Sequence, residues 1–197
     1  MISAIPLLTA LAMTIACIAW FTLLLPVNSL PHAGRVLVIV VIALLVILPF
    51  ADYPGWYYVR AISGDSAVTA LLFYIAVILQ QHLSWQLYRD NELVLLRWLV
   101  LATAILLYPL SLGLTQFDSY ILGYSNPWLL VVLFIITLFF WFRQYYFLAV
   151  MVTVAVVAYS LQLLESRNLW DYLIDPLFIV MVMLTWLRPS LSRRFAR

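Results

Sequence analysis

The stretch PWLLVVLFIITLFFWFRQYYFLAVMVTVAVVAYSLQLL, Pro127 to Leu164, decides the fold. It is predominantly apolar, and its one charge, Arg143, sits beside Gln144 near its middle. As one helix it would place Arg143 at the hydrocarbon centre of a bilayer, at a cost of about 2.5 to 3.5 kcal/mol even on the lenient insertion scale. A tight turn puts the same charge at the surface. The residues therefore predict two helices, 127–142 and 145–164, joined by a hairpin.

Working outward, a bilayer core about 30 Å thick needs roughly 20 apolar residues of helix. Upstream candidates are 93–113, which contains Arg97 and Pro109, and 67–83, which ends in Gln80, Gln81 and His82. Before them come the Val/Ile/Leu run 36–51 and the uncharged segment 3–25, the latter stopping at Pro26. Downstream, 169–187 carries Asp171, Asp175 and Pro176 in its first part. Its clean stretch from Leu177 is too short to span alone, so the acidic turn is expected at an interface or shielded by neighbours. The expected fold is all-α: one polytopic transmembrane helical bundle over 1–197, of about seven spans, with six plus a re-entrant end as the alternative.

Composition agrees. Hydrophobic residues make up 67% and charged residues 9%, whereas soluble domains are about half apolar and a quarter charged. A water-soluble globule is excluded. The single Cys17 excludes a disulfide framework and any multi-cysteine metal site. The chain has no lysine, hence no Schiff-base chemistry. HExxH, a Ser-His pairing on one side and a Gly-rich phosphate loop are missing as well. His32 and His82 have no third ligand nearby in the pattern, so no metal or other cofactor is expected. The five glycines, none deep in a span, argue against an unwound transporter helix.

Charge sorting sets the topology. With alternating sides, one face holds Arg35, Arg89, Arg97, Arg143, Arg188, Arg193, Arg194 and Arg197 against Asp90 and Glu92. The other holds Arg60 and Arg167 against Asp52, Asp65, Asp118, Glu165, Asp171 and Asp175. The positive-inside rule then puts the N-terminus outside and the C-terminus in the cytoplasm, as in a multi-pass protein of a bacterial inner membrane. Residues 1–25 lack a positive n-region and read as a retained helix, not a cleaved signal peptide. The arginines after Leu187 read as a topology anchor that can also attract lipid headgroups. No basic domain supports nucleic-acid binding.

The outward loops carry the candidate ligand site: Asp171, Asp175, Arg167, Trp170, Asp118 and Arg60. Asp171 and Asp175, four apart, are expected on one helical face, with Arg167 placed to pair with Asp171. Acids within a span are functional by default. Tyr53, Trp56, Tyr57, Tyr58 and Trp128 read first as an interfacial belt. Arg97 reads as a snorkelling side chain, with Asp90 or Glu92 available to it or to Arg89. Ala12, Ala16 and Ala19 form a small-residue face for close helix packing, within the chain or with a partner.

Three functions fit. The leading expectation is a non-catalytic membrane subunit of an envelope complex that handles lipid or lipid-linked saccharide at the outer face, with membrane lipid and another protein subunit as partners. The alternatives are a small transporter or substrate-capture component using the outward acidic-aromatic site, and a membrane enzyme using outer-face carboxylates. No reaction is specified by any motif, and an enzyme is the less favoured class.

Overall fold

The computed structural model describes residues 5–25, 27–83, 85–112, 118–124 and 126–187. Ser3, Pro26, Gly113, Gln116 and the four arginines from 188 onward lie outside them. The described chain is mostly helical with almost no sheet. Pro6–Leu24 and Asp90–Ser111 are long and apolar enough to cross a membrane, while His32–Ile47, Val68–Leu83, Pro127–Phe142 and Tyr146–Ser160 are apolar but shorter. The chain divides into two compact units, Met1–Ser66 with Leu71–Gln86, and Ala67–Ala70 with Leu87–Arg197.

In the first unit, α1 (Ile5–Leu24) packs against α2 (His32–Ile47), and both pack against α3 (Gly55–Ser63). The core is Met13, Ile42 and Val46, covered by Cys17, Ile18, Val38, Trp56 and Val59. Between α2 and α3 lies a two-residue hairpin, β1 (Pro49–Phe50) against β2 (Tyr53–Pro54). Ala51 takes a left-handed φ of 56° at its tip. Gly55 is required, because a Cβ there would run into the Leu45 carbonyl and sit 3.1 Å from Val46 Cα. The hairpin and α3 thereby fold back onto the end of α2.

Helix α3 was not foreseen in the sequence, where its residues read as a loop. It starts behind extended Pro54, ends at Gly64 with φ 72°, and buries none of its residues fully. A short amphipathic helix of this kind is stabilised by its neighbours, not by length. Its aromatics pack on the hairpin: Tyr53 stacks on Tyr57 at 4.6 Å, and the Tyr58 hydroxyl donates to Phe50 O at 3.0 Å. Helix α4 (Val68–Leu83) begins in the second unit and continues in the first.

The second unit contains α5 (Asp90–Ser111), a 3-10 helix (Ser119–Gly123), α6 (Pro127–Phe142), α7 (Tyr146–Ser160), α8 (Trp170–Leu173) and α9 (Pro176–Leu187). The chain turns at Arg143-Gln144, where Gln144 has φ 60°, and α6 and α7 pack as a hairpin. Leu129 and Leu133 of α6, Ala155 and Ala158 of α7, and Leu169 and Tyr172 form one core. α6 starts with Asn126 as N-cap, its side chain accepting from Trp128 N, and Pro127 in the first turn.

The segment 169–187, expected as one span, is instead interrupted. Ile174 is extended (φ −153°, ψ 138°), separating the single turn α8 from α9. The cause is local, since proline at 176 has no N–H and is accommodated most easily in a first helical turn.

Candidate functional site

The break before α9 organises the acidic residues. Asp175, 6% exposed, accepts from Phe178 N at 2.6 Å with one carboxylate oxygen and from Ala67 N at 2.8 Å with the other. It therefore caps the N-terminus of α9 and holds the chain just before α4. Thr69 Oγ1 adds a bond to Leu173 O at 2.6 Å. Partial positive charge at two helix starts, with two backbone donors, satisfies a buried carboxylate without a cation.

Asp171 lies on α8 and not on one helical face with Asp175, because the extended Ile174 intervenes. Its carboxylate accepts from the Tyr120 hydroxyl at 2.8 Å and from the Ser166 hydroxyl. Burial, then the bond to Asp171, raises the Tyr120 phenol above its ordinary pKa and keeps it a donor. Both carboxylates lie within electrostatic reach of Tyr108 on α5.

Around this pair, the loop before α8 is stitched to the 3-10 helix. Asn168, 0% exposed, donates through Nδ2 to Tyr120 O at 2.9 Å and accepts at Oδ1 from Trp170 N at 2.9 Å. Trp170 Nε1 donates to Ser119 O, and Leu169 N to Gly123 O. Gly123 has no space for a Cβ, which would overlap Asn168 Oδ1 and approach Trp170 Cδ1 to 2.8 Å. Asp118 Oδ1 accepts from Tyr120 N at 2.9 Å, capping the 3-10 helix. The Tyr172 hydroxyl, fully buried, accepts from Leu164 N and lies 3.1 Å from Ser166 O.

The structure thus brings Asp118, Trp170 and Asp171 together and leaves out two expected members. Arg167 is exposed, and no ion pair joins it to Asp171 among the described residues; tyrosine and serine hydroxyls hold that carboxylate. Arg60 belongs to the first unit and forms a two-pronged pair with Asp65, at 2.7 and 3.0 Å. Ala16 and Ala19 are buried inside the first unit and Ala12 is half-buried, so most of that stripe packs within the chain.

Two buried charges have roles the sequence did not suggest. Glu92, 3% exposed, pairs with neither Arg97 nor the Arg89 side chain. It accepts from Arg89 N at 2.8 Å and from Phe147 N at 2.9 Å, joining the N-termini of α5 and α7. Arg97, 7% exposed, does not snorkel. It donates from Nε to Thr185 Oγ1 and from Nη2 to Thr185 O on α9, beside the edge-on Trp98–Trp186 pair.

Beneath Trp170, a cavity of about 120 Å³ runs between α5, α6, α7 and α9, lined chiefly by Leu, Val, Phe and Met side chains with Thr69 and Thr103. Among the described residues no group of three or more His, Cys, Asp or Glu could hold a metal ion. Among the described residues, the half-buried and buried acids each have hydroxyl, backbone or arginine partners. Compared with known proteins, the chain matches no family model, no curated protein and no solved structure.

Proposed function

We propose that the chain is a multi-pass protein of a bacterial inner membrane, a seven-span bundle with its N-terminus outside and C-terminus in the cytoplasm. Two features support this. Large apolar side chains such as Leu37, Leu45, Phe134 and Trp141 are exposed on the helices, whereas Glu92, Arg97, Asn168 and Asp175 are inside, an arrangement suited to lipid and not to water. In addition, the polar contacts between distant segments join regions that charge sorting assigns to one side. Glu92 meets Phe147 on the cytoplasmic side, and Asp175 meets Ala67 and Tyr120 meets Asp171 on the outer side. Helices of 16 residues, about 24 Å long, fit a thin or locally thinned bilayer. At 12 residues or about 18 Å, α9 crosses only together with α8 and the extended residues before it, as a broken seventh span.

Within that topology we propose a non-catalytic subunit of an envelope complex that handles lipid or lipid-linked saccharide at the outer face. The observation that carries this reading is the fate of the acids: those not exposed are all engaged in holding the fold together. A catalytic or ion-coupling carboxylate must instead reach its substrate or proton. The test is extraction of the tagged chain from its host in mild detergent, native mass spectrometry, and lipid and glycolipid profiling of a deletion strain. A stoichiometric second subunit with an altered envelope profile is expected. A lone monomer whose deletion leaves the envelope unchanged overturns the proposal.

A further inference from the structure

The first unit contains a groove of about 540 Å³ that the foregoing does not use. Cys17 and Phe21 of α1 with Leu25 just past its end line one side, and Leu37, Val41 and Leu45 of α2 the other. Each set repeats every four residues, so each is a single stripe, and the two run antiparallel along the groove. Core residues Ile42 and Val46 form its floor, and Gly55 and Val59 of α3 close one end. Each stripe extends over eight residue steps, about 12 Å of helix, enough to seat part of one extended acyl chain.

The opposite end is charged. His32 and Arg35 continue the Val38–Ile42–Val46 stripe of α2 beyond the groove, at three-residue steps. The His82 imidazole lies within electrostatic reach of both. Arg35 Nε donates to Leu30 O at 3.0 Å, and no acid pairs with the guanidinium among the described residues. The result is an apolar groove that ends at one guanidinium, unpaired with any acid among the described residues, flanked by two imidazole donors. In the topology proposed above that cluster faces the cytoplasm, at headgroup level.

We propose that this groove binds one anionic phospholipid, with an acyl chain along α1 and α2 and its phosphate on Arg35, His32 and His82. The proposal rests on the membrane reading but not on the partner subunit. To test it, the delipidated chain in detergent is offered phosphatidylglycerol and phosphatidylcholine of identical acyl chains, and retained adducts are read by native mass spectrometry. A one-to-one phosphatidylglycerol adduct, favoured about tenfold, is expected. Arg35→Gln should bring the two lipids near parity, and Arg35→Lys should keep the preference. Val41→Trp, at an exposed position, should reduce both adducts by filling the groove. Equal retention of the two lipids, or an undiminished preference in Arg35→Gln, overturns the proposal. Resistance of the chain to alkaline carbonate washing of membranes tests the membrane reading separately.

Discussion

Replacing Asp175 by alanine removes the acceptor shared by Phe178 N at 2.6 Å and Ala67 N at 2.8 Å, at a position only 6% exposed. Each buried donor left without a partner costs about 1 to 3 kcal/mol, and loss of an N-cap about 1 kcal/mol. These overlap, and some water entry will relieve them, so about 3 to 5 kcal/mol is expected. Asp175→Asn keeps one acceptor oxygen but turns an amide donor towards the other N–H, and should cost about 1 to 3 kcal/mol. Asp175→Ser can cap its own helix but is too short to reach Ala67, and should fall between. Unfolding in detergent gives the ranking, and amide hydrogen exchange localises it. Exchange at Ala67 should accelerate roughly 10- to 100-fold in the serine variant, with Phe178 less affected. An alanine variant as stable as the parent, with an unchanged Ala67 amide, would refute the capping role and return Asp175 to the candidate ligands.

Three further predictions concern neighbouring parts of the fold. Gly123→Ala should cost at least about 3 kcal/mol, since the new methyl meets Asn168 and Trp170 on both sides and breaks the bonds between them and the 3-10 helix; loss of near-ultraviolet aromatic dichroism reads this. Glu92→Ala should cost about 2 to 4 kcal/mol and expose the amides of Arg89 and Phe147 together to exchange; exposure of one without the other would argue against a shared acceptor. The Tyr120 phenol is raised above its unfolded value by burial and Asp171. Its contribution to stability is thus complete below the ordinary phenol range of about 10 and is lost as pH climbs from there through the folded value. Phenolate absorbance should show late-titrating tyrosines, one fewer of them in Tyr120→Phe.

The helices were legible where a charge or a proline interrupts an apolar run. Arg143 marked the α6–α7 turn because a guanidinium has no place mid-bilayer. Asn126-Pro127 and Asp175-Pro176 carry the same signature, a short polar cap followed by a proline with no N–H to lose. Pro176 beside a polar residue is legible locally, but the second bond that Asp175 makes there, to Ala67 N, comes from 108 residues away. A search for long apolar runs passes over α3, because its nine residues carry an apolar and a polar face behind Pro54 and are too short to span. One partner of each of Asp171 and Glu92 is local, Ser166 and Arg89 N, but the others, Tyr120 and Phe147, lie 51 and 55 residues away, beyond any local spacing rule. Pairing Asp171 with Arg167 at four residues assumed a continuous helix, and the chain through 165–169 is not one.

In the membrane topology proposed above, the way the acids are satisfied bears on how the sequence can cross lipid and on where its arginines lie. Of ten arginines and eight acids, one ion pair, Arg60–Asp65, forms among the described residues. Glu92 and Asp175 are held instead by pairs of backbone N–H groups at helix starts. A helix N-terminus would in any case leave such donors unpaired, and in lipid each would be costly. Setting one carboxylate between two helix starts removes both deficits together, and it needs no cation. Arginines are then released from pairing and are distributed by side. Each bridge also specifies which helix ends meet, α4 with α9 and α5 with α7, which apolar packing alone would leave degenerate. On this account, substituting Glu92 or Asp175 should disturb the pairing of helix ends more than the membrane insertion of any single span.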